Sequence, residues 1–199
     1  TFTQDNNGTT NVTNKFFAGE STIKNGTLNW YTENDIDANA KLTVQTGKLN
    51  IGKDASQESV LSIGNGSLIG DAVQVTINDK SILNVIADGT VNINGNDIWK
   101  GLVNVEDGKL IISDFRKSNG AFTAIGGEVE LKNSTLTIKT DDKILNAVTA
   151  TIDEKSLLDI KGGNVELNDG DTWAGQVNIS DGDLTIDNIA SNGIITASG

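Results

Sequence analysis

The chain has 199 residues, a formal net charge of −12 and a single arginine, Arg116. It contains no Cys, His, Met or Pro, which excludes disulfides, thiol nucleophiles and a histidine general base. The acidic balance argues against a nucleic-acid partner. No apolar run approaches the ~20 residues of a transmembrane helix, so we expect no insertion of this chain into a membrane.

The first segment, 1–20, is polar and rich in Gly and Asn. Its pattern predicts irregular structure, with Phe16 and Phe17 covering the open end of a core, because terminal repeats tend to be atypical. The segment lacks the basic start and apolar centre of a signal peptide. We therefore expect the chain to be a mature piece or a fragment of a longer protein.

From Ser21 onward an apolar–polar–apolar triplet recurs down the chain. Side chains alternate faces along a strand, so the outer two residues of each triplet are predicted to enter a core. Gly, Asn and Asp between the triplets supply turn chemistry. The triplets are Leu42–Val44, Leu49–Ile51, Leu61–Ile63, Val75–Ile77, Leu83–Val85, Val91–Ile93, Val103–Val105, Leu110–Ile112, Val129–Leu131, Leu136–Ile138, Leu158–Ile160, Val165–Leu167, Val177–Ile179 and Leu184–Ile186.

A long internal repeat organises these triplets. The interval from Trp99 to Trp173 equals that from Gly101 to Gly175, and both pairs lie within the similar segments 91–115 and 165–189. Just upstream, "TINDKSILNV" and "TIDEKSLLDI" match at almost the same offset. The period is about 74 residues, and self-similarity at a fixed long period is typical of stacked copies of one supersecondary unit.

The repeat and the short strands together predict an all-β fold, a right-handed parallel β-solenoid. Each 74-residue unit would form three rungs of roughly 25 residues with about three short strands each. The range 21–199 would then form one continuous solenoid of roughly eight rungs, about 40 Å long. The two tryptophans are expected at equivalent corners about three rungs apart. The pattern is still running at "IITASG", so we expect further rungs beyond it.

Carboxylates are the main groups left for catalysis. Glu130, Asp159 and Glu166 occupy outward positions of their triplets. A pair of them converging in a groove would suit a polysaccharide lyase or a hydrolase, but solvated polar strand faces explain them more simply. We assign no catalytic residue, no cofactor-binding residue and no cofactor.

Three turns resemble fragments of calcium loops: Asn168–Asp171, Ser180–Asp183 and Asp5–Gly8. None has the spaced series of ligands that an EF-hand loop requires. Turn formation accounts for these Asp and Gly residues. We therefore assign no metal ligand.

The aromatic residues and one isoleucine are further candidates for binding. Trp99 and Trp173 recur at the repeat period, which is more typical of packing than of carbohydrate stacking. Trp30 and Tyr31 lie outside the exact repeat and are the better binding candidates. Ile111 is apolar at an outward position, which would mark a self-association contact.

The motif W-x-G-x-V-x-[IV]-x-D-G-x-L-x-I occurs at 99–112 and 173–186. It resembles the strand repeat of bacterial autotransporter adhesin passengers, and the acidic, Cys-free composition is also similar to that family. The resemblance implies a surface β-solenoid exported from a bacterium. Protease passengers of that family use a serine site with a His, which this chain lacks, so that activity does not carry over.

These observations favour a non-enzymatic segment of a secreted adhesin on the bacterial cell surface. It would serve as a rigid stalk, as a binding surface for glycan or protein ligands on host or bacterial cells, or as both. Two alternatives remain open. One is a carbohydrate-active β-helix, a polysaccharide lyase or a tail-spike-like depolymerase. The other is a self-association module for cell aggregation.

Overall fold

The computed structural model describes residues 1–13, 19–33, 35–36, 40–53, 58–188 and 192–198. The fold is all-β, a parallel β-solenoid of about nine turns, which confirms the predicted fold class. The handedness stays a prediction. Within the described ranges there is no helix, and so none that is long and apolar enough to span a membrane.

In the described part of the chain, nineteen strands build the solenoid. Most are short, and several of the longest bend at a register shift and so cover two sides of one turn. Their bounds are β1 Phe2–Val12, β2 Glu20–Trp30, β3 Lys41–Ile51, β4 Ser59–Ile63, β5 Leu68–Ile77, β6 Ser81–Ile86, β7 Thr90–Asn94, β8 Ile98–Trp99, β9 Leu102–Glu106, β10 Lys109–Ser113, β11 Ala121–Ala124, β12 Gly127–Lys132, β13 Thr135–Ile138, β14 Lys143–Ile144, β15 Val148–Ile152, β16 Leu157–Leu167, β17 Thr172–Trp173, β18 Gln176–Ile186 and β19 Ile194–Ala197.

The parallel pairings divide the solenoid into three faces. The first face runs through the first halves of β1, β2, β3 and β5 and then β7, β10, β12, β15 and β17. The second face contains the second halves of β1–β3 and β5, then β8, β13, the first halves of β16 and β18, and β19. The third face contains β4, β6, β9, β11, β14 and the second halves of β16 and β18.

The turns are shorter than the sequence predicts. Leu110 stacks on Val91 and beneath Val129, and stacked pairs of this kind make a turn of about 20 residues, so that one repeat unit covers about three and two-thirds turns instead of three. Trp99 consequently lies on the second face over Ile77, whereas Trp173 lies in the column of the first face. The expectation that they occupy equivalent corners is wrong for this reason.

Triplet side chains form one continuous core. The outer residues of the triplets up to Val177 are buried, as predicted, and Trp30, Phe115 and Phe122 fill it further. The last positions differ: Ile179 and Leu184 are half-buried and Ile186 is exposed. Among the described residues no strand stacks above the second half of β18, so this part of the core lacks a covering layer.

The segment 1–20 is more regular than expected. Phe2–Val12 forms β1, which pairs in parallel with β2. This strand adds one turn to the roughly eight turns predicted for 21–199. The apolar–polar alternation is weak there, because most side chains of β1 are exposed, and this is why the pattern did not reveal the strand. The proposed cover by Phe16 and Phe17 lies outside the described residues.

Gly101 and Gly175 hold equivalent places after the two tryptophans. A Cβ at Gly101 would lie 2.3 Å from the carbonyl oxygen of Ser81, and one at Gly175 would lie 2.3 Å from that of Asp153. Neither glycine has a positive φ. The close approach of backbone from the turn below therefore requires glycine here, and left-handed geometry does not.

Candidate functional site

An open groove lies on the first face, at the level of β5, β7, β10 and β12. Its volume is about 890 Å³, within the range of small-molecule sites. Most of its lining is polar. It is lined by Asp71, Ala72, Val73, Gln74, Asn92, Asn94, Gly95, Asn96, Ile111, Ser113, Asp114 and Lys132.

The groove forms where two neighbouring strands part. β5 pairs with β7 only through Leu68 and Ile69, and it next pairs with the turn above at Thr76. At the same level a register shift interrupts the pairing of β5 with β3 below. The segment 70–75 is therefore free of the backbone ladder above it, and such bulges are common next to functional sites.

Two asparagine side chains of β7 replace the missing ladder. Nδ2 of Asn92 donates to the carbonyl oxygen of Ile69 at 2.9 Å. Nδ2 of Asn94 donates to the carbonyl oxygens of Asp71 at 2.9 Å and Val73 at 3.3 Å. The carbonyls that the parting would leave without partners are thereby satisfied, and both asparagines are held in place.

Asp97 closes the corner beside these asparagines. Its side chain is buried, and its Oδ1 and Oδ2 accept the backbone N–H groups of Val75 and Asn94, each at 2.8 Å. Burial raises the pKa of this carboxyl to about 6 against the lowering effects of these bonds and of Lys117, and nearby Asp71 raises it further. The carboxylate thus links the corner turn to the strand below through two hydrogen bonds, although burial disfavours its charged form.

The same arrangement recurs at Asp142 and Asp171. Burial raises the pKa of both carboxyls. Each accepts one N–H from its own turn and one from the turn below (Lys139 and Phe122; Asn168 and Ala150). This corner bond is a repeated structural device, and only the copy at Asp97 adjoins the groove.

Ile111 lies on the groove floor. It is half-buried and stacks in register between Asn92 and Glu130. Glu130 in turn forms ion pairs with Lys132 at 3.1 Å and Lys109 at 3.9 Å. The floor therefore combines one apolar side chain with a charge cluster that is largely neutralised within itself.

The predicted outward carboxylates do not converge. Glu130 lies on the first face, Asp159 on the second and Glu166 on the third. Asp159 pairs with Lys161 at 2.7 Å, and Glu166 accepts the backbone N–H of Asn146 at 3.0 Å. Each carboxylate has a local partner, and no two of the three share a groove.

Three of the four aromatic candidates are core residues, whereas Tyr31 is half-buried. Trp30 is fully buried and its Nε1 donates to the carbonyl oxygen of Val60 at 2.6 Å, so it offers no stacking surface to a ligand. Trp99 and Trp173 are also buried. Their Nε1 atoms donate to the carbonyl oxygens of Gly101 and Gly175, at 3.1 and 2.9 Å. This agrees with the packing role that their periodicity suggests.

The three calcium-like turns are held by local bonds. The backbone N–H of Gly8 donates to Oδ1 of Asn6 at 2.8 Å, and that of Gly182 to Oδ1 of Asp181 at 2.9 Å. Asp171 accepts two backbone N–H groups at its corner, as described above. Over the described ranges, no group of three or more acidic residues is arranged to hold a metal ion.

Sequence reasoning missed most of the groove. Asp71 and Gln74 lie in the bulge, and their position depends on the register shift below them, which no local pattern reveals. Ile111 is the one signal, as an apolar residue at an outward position, and the structure places it on the floor.

Comparisons with protein-family models, with curated proteins and with solved structures found no match for this chain.

Proposed function

We propose that this protein is a non-enzymatic segment of a secreted bacterial surface adhesin. It acts as a stiff support and presents the groove on its first face to a ligand on another surface. The observation that carries the proposal is the placement of a polar groove on a solenoid of hydrogen-bonded parallel strands. The motif at 99–112 and 173–186, which resembles that of autotransporter passengers, supports export to the cell surface.

Stiffness follows from the way the turns are joined. Among the described residues, the turns contribute parallel strands to one sheet of ten strands and one of nine, and the two sheets overlap along most of the array. Bending the rod would open backbone hydrogen bonds on at least one face, and each turn contacts only its neighbours. Such a rod can hold a binding groove at a distance from the cell that carries it.

Binding fits the groove better than catalysis does. The chain has no His or Cys, and the three carboxylates considered for polysaccharide cleavage lie on different faces. The groove is instead lined by amide, hydroxyl and charged side chains around Ile111. These groups suit reversible contacts, and repeated weak contacts between surfaces add through multivalency.

Beads coated with the folded protein test the proposal. We expect them to adhere to epithelial or bacterial cells and to release no reducing ends from polysaccharides. Beads coated with an unrelated acidic all-β protein serve as the control. Adhesion no greater than that of the control would contradict the proposal. Depolymerisation would establish the carbohydrate-active alternative, and clumping of the beads alone would establish self-association.

A further inference from the structure

The groove on the first face has a composition that selects among ligands. The inference drawn from it rests on the proposed function, because it takes the groove to be the adhesive site. Three properties bear on the choice: the state of the backbone edges, the charge of the lining, and the apolar side chain of Ile111 on the floor.

Backbone edges at the groove are closed to an added peptide strand. β7, β10 and β12 pair with one another along the floor. In the bulge, the carbonyl oxygens of Ile69, Asp71 and Val73 already accept from Asn92 and Asn94. A peptide that bound by strand addition would have to break these bonds. The groove therefore offers its ligand mainly side chains.

The charge of the lining disfavours an anion. Asp71 and Asp114 oppose an anion, as does the net charge of −12. Lys132 does not reverse this balance, because Glu130 lies 3.1 Å away and pairs with it. Asp114 is likewise engaged, since its Oδ1 accepts from Nδ2 of Asn133 at 2.5 Å. A neutral ligand meets no comparable repulsion.

Hydrogen-bonding groups dominate the remaining lining. Gln74, Asn96 and Ser113 supply amide and hydroxyl groups that can both donate and accept. Asn94 is held from both sides, because its Nδ2 binds the bulge and its Oδ1 accepts the backbone N–H of Asn96 at 3.1 Å. A side chain that is fixed in advance loses little rotamer entropy when a ligand binds.

The groove is long in the direction of the solenoid axis. It reaches from β5 through β7 and β10 to β12, three steps of about 4.8 Å each. Halfway along, Ile111 offers a half-buried apolar surface among polar neighbours. Pyranose rings present this combination to a protein, with hydroxyl groups around the rim and C–H groups on the face.

We propose that this groove binds a neutral oligosaccharide, with Gln74, Asn96 and Ser113 bonding sugar hydroxyls and Ile111 contacting a ring face. Asp71 contributes as an acceptor for a pair of neighbouring hydroxyls. The ligand lies along the axis and crosses β7, β10 and β12. An uncharged, hydroxyl-rich chain of a few sugar units is the ligand class that the lining selects.

Binding of defined oligosaccharides to the folded protein tests the assignment. The neutral probes are the hexasaccharides of β1,4-linked glucose, β1,4-linked N-acetylglucosamine and β1,4-linked mannose. A heparin hexasaccharide and an octalysine peptide represent the charged classes. We expect at least one neutral probe to bind and the charged probes to bind at least tenfold more weakly. Titrations followed by two-dimensional amide NMR give both the affinity and the residues that shift.

Variants locate the site. Ile111→Glu and the double variant Asp71→Ala/Gln74→Ala alter exposed or half-buried side chains whose removal leaves the ladders intact, and each should weaken binding at least tenfold. The matched control Asp79→Ala/Gln176→Ala removes the same two residue types outside the groove, and should bind as the unaltered protein does. Circular dichroism melts establish that every variant is folded.

Each other outcome overturns the inference. Neutral binding that the groove variants leave unchanged would place the site elsewhere, and tighter binding of heparin or octalysine would refute the ligand class. No binding of any neutral probe at millimolar concentration would refute the inference as well. The bead assay is independent of these titrations, so adhesion that persists without glycan binding would leave the proposed function standing.

Discussion

The two copies of the repeat, 91–112 and 165–186, have the same local parts but different surroundings. Both contain a tryptophan whose Nε1 donates to a nearby glycine carbonyl. Both turns also carry a buried Asp that accepts an N–H from the turn below. Yet the first copy lines the groove, whereas the strand that ends the second copy carries the exposed Ile186.

The neighbouring turns account for this difference: no described strand covers Ile186 from above, and the turns below the two copies also differ. Beneath β7 lies the bulged strand β5, which leaves the ladder between Ile69 and Thr76. Beneath the second half of β16 lies the short strand β14, which has no such bulge. The repeat therefore specifies how a turn closes, and the neighbouring turn decides what surface results. Matched substitutions in both copies can distinguish the effects of the repeat sequence from those of the neighbouring turns.

The largest contrast is expected at the tryptophans. Trp99 packs against Phe115 and Phe122, with ring centroids 6.0 and 5.9 Å away, and turns lie both above and below it. Trp99→Ala should lower the free energy of unfolding by about 4 kcal/mol through the cavity it leaves. Trp173→Ala should cost roughly half as much, because the core around it is less fully covered. Urea denaturation gives both values, and a larger loss for Trp173→Ala would contradict the account.

Gly101→Val and Gly175→Val come next. Either Cβ would lie 2.3 Å from a backbone carbonyl oxygen of the turn below, so the chain has to shift. We expect losses of about 3 kcal/mol in both variants, with the two values closer to each other than those of the tryptophan variants. Thermal melts measure the effect. Substitution to Val at the exposed Lys100 is the control and should change stability by less than about 0.5 kcal/mol.

The buried aspartates should respond to pH. Because the folded-state pKa of Asp97 is raised to about 6, its stabilising contribution is present below its ordinary pKa and is lost as pH rises through 6. Acidification from pH 7 to 4.5 should therefore stabilise the protein, by about 2 kcal/mol from this group. Asp97→Asn should remove that part of the slope, and Asp171→Asn should remove a smaller part.

A group of the opposite kind limits this gain. Burial raises the pKa of Asp153, but hydrogen bonds from the Ser156 hydroxyl and the backbone N–H of Asn133 outweigh burial and leave the pKa lowered. Its contribution is present above its ordinary pKa and is lost as pH falls through its folded-state value. Urea midpoints should thus rise from pH 7 to 4.5 and fall at lower pH. An unchanged slope in Asp97→Asn would refute the assignment.

The smallest difference between the two copies is expected at Asn94 and Asn168, whose side chains donate to backbone carbonyls of the turn below. Asn94→Ala leaves the carbonyls of Asp71 and Val73 without their side-chain donor, and Asn168→Ala does the same for Asn146. We expect about 1–2 kcal/mol for Asn94 and about 1 kcal/mol for Asn168. Only Asn94→Ala should also speed hydrogen exchange in the segment 70–75. Equal exchange in both variants would show that the asparagine does not hold the bulge.

Local patterns sufficed for the core and failed where register matters. The triplets identified the buried residues, from Leu42 to Val177, because strand alternation is a property of neighbours in sequence. The turn length was overestimated, since pairing between turns sets it. The sequence pattern did not predict β1, because its side chains are mostly exposed and show little apolar–polar alternation. The groove could not be predicted from the sequence, because the bulge depends on how β5 pairs with β3 below and β7 above.

The advance of about three and two-thirds turns per copy has a consequence for any longer array. A further repeat unit would point its surface about 120° away from the preceding one, so equivalent sites would follow a screw around the rod. A flat partner could reach only every third copy, whereas a flexible polymer could wind along all of them. Duplicated units would also be exposed to different neighbours, which allows one copy to acquire a new surface while another keeps the old one.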